Sequence, residues 1–223
     1  VPTYGDGALS RWCRAALYDP RDEVFVRLAL KMLVLVPAAM TGLFFALRQT
    51  STPLVGWLAI AAYCVFWGWF TPPVILMLHC TMHRPFIRTP KVLDRALPFV
   101  MSLLHGIPAG YRDHHMGMHH VEDNMEADLS STLRYQRDSF LHFLVYFFRF
   151  FFLSIVELPL YLVRRRRVAM ARRAVSGELA HMAIIAAALV LAPRFGFVAF
   201  ALPYVVCRFM MMTGNWGQHA FVN

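Results

Sequence analysis

Long apolar runs separated by short polar segments dominate the pattern of residues along the chain. A helix needs about 20 apolar residues to cross a membrane, and the first two runs reach that length. The pattern predicts four membrane spans, at about 26–47, 54–78, 179–192 and 197–212. The consecutive prolines Pro72 and Pro73 predict a kink in the second span. The polar residues 1–25 are predicted to form a surface arm.

A fifth apolar run, residues 140–163, is long enough to span but contains residues that disfavour a span. These are Arg149, Glu157 and Pro159. If this run crossed the membrane, His219 would lie on the opposite side from His79. If it lies in the interface instead, nearly all the arginines fall on one side, which the positive-inside rule makes cytoplasmic. We therefore predict that residues 140–163 lie in the interface, as do residues 84–113.

The predicted fold is an all-α integral membrane domain that covers residues 1–223. Four transmembrane helices form two hairpins, with interfacial helices and a cytoplasmic, histidine-rich cap. Hydrophobic residues make up 58% of the chain and charged residues 16%, whereas soluble domains are about a quarter charged. A soluble chain of this size could not bury so much apolar surface, so the composition supports a membrane protein.

Charge and cysteine content exclude several other classes of protein. Lys and Arg outnumber Asp and Glu by 22 to 13, but they flank the apolar runs, which argues against a nucleic-acid-binding protein. Charges within the predicted spans lie mostly at the edges, which argues against a transporter. The four cysteines are isolated in the sequence, which argues against a disulfide framework or a zinc knuckle.

Six of the ten histidines occur at spacings typical of metal ligands. His79 and His83 form an HxxxH box at the end of the second predicted span, and residues four apart share one face of a helix. Asn215 and His219 form an NxxxH element where the last span is expected to return to the same side. Histidine near a membrane is costly unless it is used, so this combination favours a metal site over packing.

A second box lies in the polar segment 114–138 and contains His115, His119 and His120. On a helix, His115 and His119 share a face, while His120 points elsewhere, which predicts that it reaches a second metal. Three histidines outside the boxes are predicted to be structural: His105, His142 and His181.

The number and type of ligands indicate two metal ions. Imidazole binds zinc, copper, iron and nickel, but a zinc site closes with four ligands, and six histidines with an asparagine exceed that number. The boxes contain no carboxylate, unlike the Glu-rich soluble di-iron bundle. Glu122 and Asp123 are predicted to orient imidazoles from outside the ligand set. For Glu126 and Asp128, a solvated acidic loop is nearly as strong an interpretation.

Three segments of the sequence carry a resemblance to a known family. They are HCTMH at residues 79–83, HHMGMHHVEDN at 114–124 and GNWGQHAFVN at 214–223. With these motifs, residues 26–223 resemble the membrane fatty-acid desaturase superfamily, whose members hold two iron ions with histidines and use O2.

The resemblance implies a ligand set for this chain. It comprises His79, His83, His115, His119, His120 and His219. Asn215 is similar to an asparagine that contacts iron through a water molecule, and His114 is an alternative to His115, because the family tolerates two spacings. The family's final cluster, HxxHH or QxxHH, does not follow His219 in this sequence. We therefore expect a fragment that lacks the third histidine box and is inactive by itself.

The resemblance also implies the activity and its partners. The expected activity is an O2-dependent desaturation of an acyl lipid or acyl-CoA, with electrons from a b-type cytochrome or a ferredoxin. One alternative is a hydroxylase or ketolase of alkanes, fatty acids or carotenoids. Another is a non-catalytic metal carrier or membrane scaffold. No nucleic-acid partner is expected, and in a eukaryote the membrane would be that of the endoplasmic reticulum.

Overall fold

The computed structural model describes residues 4–49 and 52–221, which form helices and no strand apart from an isolated bridge between Leu17 and Ile87. The helices are α1 Ala8–Ala16, α2 Glu23–Gln49, α3 Pro53–His83, α4 Lys91–His105, α5 Tyr111–His114, α6 His120–Glu122, α7 Phe140–Arg164, α8 Val168–Leu191, α9 Pro193–Gly196 and α10 Leu202–His219. Two π-helical segments join consecutive helices, at His115–His119 and Phe197–Ala201.

Five helical segments are long and apolar enough to cross a membrane: Pro20–Gln49, Pro53–His83, Phe140–Arg164, Val168–Leu191 and Pro193–His219. Four of them contain the predicted spans. The other is α7, which the charge argument placed in the interface, although its length and apolarity equal those of a span.

The helices extend beyond the predicted apolar runs because polar residues with good helix propensity continue them. Helix α8 begins at Val168, well before residue 179, and includes Arg172 and Arg173. Helix α3 continues through Pro72 and Pro73 to His83. Residues 50 and 51, in the predicted turn between the first two spans, and residues 222 and 223 of the last motif lie outside the described part.

The chain divides into two compact units, of which the first comprises residues 1–105 and 188–200. In this unit the N-terminal segment is packed, so the prediction of a surface arm was wrong. Cys13 is 0% exposed and forms a core cluster with Leu17, Val26, Phe86 and Ile87. The apolar positions of the amphipathic helix α1 explain this packing.

Ion pairs hold the same segment against the end of α3. Arg84, which follows His83 directly, donates to Asp19 at 2.8 Å and also contacts Asp22. Glu23 accepts from Ser10 at 2.6 Å and from Arg27 at 2.7 Å. The N-terminal segment thus supports the helix end that carries the first histidine box.

The second unit comprises residues 106–187 and 201–223. Aromatic residues of α7 and α10 form one core cluster: Phe143, Tyr146, Phe147, Met212 and Trp216. In a second cluster, Met118 packs between α7 and α8, against Leu158, Leu162, Ala171 and Ala174. Met118 therefore anchors the second histidine box on the two long helices α7 and α8.

Candidate metal centre

The first histidine box occupies the last turns of α3, within the first unit. The Nε2 atoms of His79 and His83 lie 3.2 Å apart, and the ring centroids lie 4.6 Å apart. Two nitrogens bound to one ion at about 2.1 Å each, and at a right angle, lie about 3 Å apart. The four-residue spacing therefore places this pair at the separation of two ligands of one metal ion.

The second box lies on the π-helical turn His115–His119, within the second unit. A π-helix bonds residues five apart, and the backbone N–H of His120 donates to the carbonyl of His115. This wider turn brings the Nε2 atoms of His115 and His120 to 3.1 Å from each other. The sequence interpretation had separated these two residues, because it assumed an α-helical spacing.

Gly117 allows the π-helical turn to approach α7 and α8 closely. A Cβ atom at this position would lie 2.6 Å from Met170 Cε and 3.2 Å from Leu162 Cδ2. Any larger residue here would therefore force the neighbouring side chains to move.

His119 is the centre of the histidines in this unit. Its ring centroid lies 4.9 Å from that of His219, 5.6 Å from that of His115 and 5.7 Å from that of His120. The second unit thus brings together four of the six predicted ligands, although His219 is a hundred residues after His119 in the sequence.

A buried carboxylate orients His119. Its Nδ1 lies 2.7 Å from Asp128 Oδ2, and both side chains are buried. Because a carboxylate only accepts hydrogen bonds, Nδ1 carries a proton, and in the neutral imidazole the lone pair that a metal needs is then on Nε2. Burial alone would raise the pKa of Asp128, but the hydrogen bonds from His119 and Ser130 outweigh burial and hold it below its usual range.

Asp128 is itself held by the loop that follows it. The backbone N–H and the hydroxyl of Ser130 donate to Asp128 Oδ1, at 2.8 and 2.7 Å. The amide nitrogen of Asn215 donates to the carbonyl of Ser130 at 3.0 Å and to Tyr146 Oη at 2.7 Å. Asn215 therefore connects α10 to the loop that orients His119, and this contact involves its nitrogen.

His114, the alternative ligand, lies in different surroundings from His115. It is packed edge-to-face against Phe150 at 5.1 Å, and its Nε2 is buried without a hydrogen-bond partner. Burial lowers the pKa of His114 to about 4. Of the two candidates, His115 is the one whose Nε2 meets that of another predicted ligand.

Glu122 and Asp123, which were predicted to orient imidazoles, form no hydrogen bond with a histidine among the described residues. Glu122 accepts from the hydroxyl of Tyr161 and from Arg165 at 2.6 Å. Asp123 is exposed and ends α6 in the left-handed region, with φ of 45°. For Asp128 the sequence left two interpretations, a carboxylate that orients an imidazole or part of a solvated acidic loop, and its contact with His119 supports the first.

Arginines near the α7–α8 connection hold the second box at three points. Arg165 binds Glu122, Arg167 donates to the carbonyl of Gly117, and Arg173 donates to Asp113 at 2.7 Å. Burial raises the pKa of Asp113, and the hydrogen bond from Arg173 acts in the opposite direction. Arg165 and Arg167, two of the four consecutive arginines at 164–167, thus pack against the second box.

A largely buried ion pair joins two helices that are long and apolar enough to span a membrane, whereas the sequence analysis placed charges mostly at the span edges. Arg208 of α10, only 6% exposed, donates to Glu178 of α8 at 2.5 Å. Arg208 also donates to the carbonyl of Gly106 at 3.3 Å, and Glu178 accepts from the backbone of Gly110 at 3.4 Å. The pair therefore fixes the loop that leads into the second box.

The histidines predicted to be structural have other contacts within their own units. His105 Nδ1 lies 3.2 Å from the hydroxyl of Thr71, and His142 Nδ1 accepts from the backbone of Gln136 at 2.7 Å. The ring of His181 packs edge-to-face on Tyr204 at 5.1 Å.

Comparison with known proteins gives no match to this chain, whether protein-family models, curated proteins or solved structures are searched. The geometry of the histidines and their carboxylate partner is therefore the basis for a proposed function.

Proposed function

We propose that this membrane protein is a histidine-box di-iron enzyme that uses O2 to introduce a double bond into an acyl chain. The observation that carries the proposal is His119, which a buried carboxylate orients at the centre of three other imidazoles. Histidines that bind metals in proteins almost always donate their second N–H in this way.

The donor set fits two iron ions. Each unit contributes one pair of imidazoles whose Nε2 atoms are about 3 Å apart, the spacing of two ligands on one ion. Neutral imidazoles suit iron, and Asp128, which accepts from His119 Nδ1, favours the tautomer whose Nε2 can bind it. His79, His83, His115, His119, His120 and His219 would hold the metal, and Asn215 would contact it through water.

Bound iron would supply the activation of O2 needed to remove hydrogen from an unreactive methylene group. In the net reaction the acyl chain loses two hydrogens and O2 is reduced to two waters, with two electrons and two protons from outside. The protein's own residues hold and orient the imidazoles, while its apolar helices accommodate the acyl chain. Exposed arginines near the second box, such as Arg164 and Arg166, would attract an acidic electron carrier such as a b-type cytochrome or a ferredoxin.

Product analysis tests the activity directly. Lipids from a host that expresses the full-length protein and is fed saturated fatty acids are expected to gain a double bond, detected as a loss of two mass units. A gain of oxygen in the product would indicate the alternative, a hydroxylase or ketolase. No change in any lipid, in a protein that still contains metal, would support the metal carrier.

Metal content provides an independent prediction. The full-length protein, purified after expression with ample iron, is expected to contain about two iron ions per chain, because six imidazoles exceed one zinc site. Elemental analysis measures this ratio. One zinc and no iron would contradict the proposal.

Topology provides a further prediction, with the histidine motifs on the cytoplasmic side. A cysteine introduced at Arg166 and one at Arg194 are expected to react with an impermeant thiol reagent from opposite sides of the membrane. Reaction of both positions from the same side would mean that α8, which lies between them, does not cross the membrane, and would exclude the four-span arrangement.

A further inference from the structure

A cleft with a volume of about 390 Å³ lies in the first unit, where α2 ends and α8 turns into α9. Apolar residues form most of its walls, and two arginines, Arg48 and Arg194, also line it. The apolar residues include Phe44, Leu47, Leu191 and Phe195. This volume falls within the range of small-molecule sites, about 300–1,000 Å³. The proposed metal chemistry does not use any of these residues.

The turn between α8 and α9 is built to form this cleft. A Cβ atom at Gly196 would lie 2.5 Å from the carbonyl carbon of Ala188, so only glycine lets α9 fold back on the end of α8. The fold-back brings Phe195 edge-to-face against Phe44 of α2, with ring centroids 5.4 Å apart. The contact between these two rings thus connects the end of α2 with α9 at the base of the cleft.

Both arginines are exposed, and within the described residues neither forms an ion pair with a carboxylate. The guanidinium of Arg48 lies over the Phe44 ring, 5.6 Å from its centroid. Three arginines near the histidine boxes differ, since Arg84, Arg165 and Arg173 each bind an acidic residue. Two like charges at one cleft repel each other, and an anion between them would remove that repulsion.

We propose that this cleft binds an anionic phospholipid whose phosphate lies between Arg48 and Arg194. The part of an acyl chain nearest the headgroup would lie along Phe44, Phe195 and Leu191. Two apolar helices end here, and lipid phosphates lie at the level where spans end. The planar guanidinium group matches a phosphate with two parallel hydrogen bonds. A soluble anion would have no use for the apolar walls, so the combined lining selects a lipid.

Titration of the purified full-length protein with short-chain phosphatidylglycerol tests the proposal, with native mass spectrometry as the readout. The double variant Arg48→Gln/Arg194→Gln is expected to bind this lipid at least about tenfold more weakly than the parent, because both phosphate contacts are lost. Arg48→Lys/Arg194→Lys is expected to bind the lipid with an affinity between those of the parent and the glutamine variant. Lysine keeps the positive charge but cannot form the two parallel hydrogen bonds of a guanidinium group. Arg172→Gln, which removes an exposed arginine of α8, is the matched control and is expected to bind like the parent.

Two further ligands separate the sources of the phosphate group. Phosphatidylcholine with the same chains, whose net charge is zero, and inorganic phosphate are both expected to bind at least about tenfold more weakly than phosphatidylglycerol. Unchanged binding in the double glutamine variant would overturn the proposal. Equal binding of phosphatidylcholine or inorganic phosphate would also overturn it, because the cleft would then not recognise an anionic lipid.

Discussion

Replacing His119 with Gln is expected to abolish turnover and to remove most of the bound metal. His119 lies within 6 Å of three other predicted ligands, measured between ring centroids, and its Nδ1 is hydrogen-bonded to Asp128. Loss of an outer partner of a metal ligand already costs about 10–100-fold, so loss of the ligand itself is expected to exceed about 100-fold. Product formation and iron per chain are the two measurements.

His142→Gln is the control for this experiment. His142 lies on the same unit but accepts a hydrogen bond from the backbone of Gln136, away from the cluster, so activity should be retained. The other five predicted ligands are expected to behave like His119: His79, His83, His115, His120 and His219. A His119→Gln protein that still oxidises substrate at the parent rate would refute the metal assignment.

Removing the charge of Asp128 is expected to weaken metal binding by about 10-fold in Asp128→Asn and about 100-fold in Asp128→Ala. The amide oxygen of asparagine can still accept a hydrogen bond from His119 Nδ1, but without a negative charge it no longer makes the imidazole more basic. The alanine also leaves Ser130 without its acceptor, so the loop that Asn215 holds should loosen. Competition with a chelator of known affinity measures both values.

Glu126→Gln is the matched control, because Glu126 carries the same charge on the same loop but its side chain is exposed. It is expected to bind metal like the parent. If Asp128→Asn also binds like the parent while Asp123→Asn does not, the orienting carboxylate is Asp123, as the sequence first suggested.

Apolar periodicity and motif spacing determined much of this protein without any structure. The long apolar runs predicted the helices that could span a membrane, and four of the five such helices contain the predicted runs. The HxxxH spacing predicted the proximity of His79 and His83 within one α-helix. Both results depend on local properties, since hydrophobicity and helical repeat are set by residues within a few positions of one another.

Contacts between distant segments determined the pairing in the second histidine box, the carboxylate that contacts His119 and the packing of the N-terminal segment. The π-helical turn pairs His115 with His120, and it forms where Gly117 lies against Met170 and Leu162, more than forty residues away. Four carboxylates follow the second box, and Asp128 is the one that contacts His119. Its position depends on the loop conformation, which contacts of Ser130 and Asn215 stabilise. The N-terminal segment packs, despite its polar composition, because its few apolar side chains meet Phe86 and Ile87. Sequence patterns report what each segment prefers locally, whereas these choices follow from which segment the folded chain places beside it.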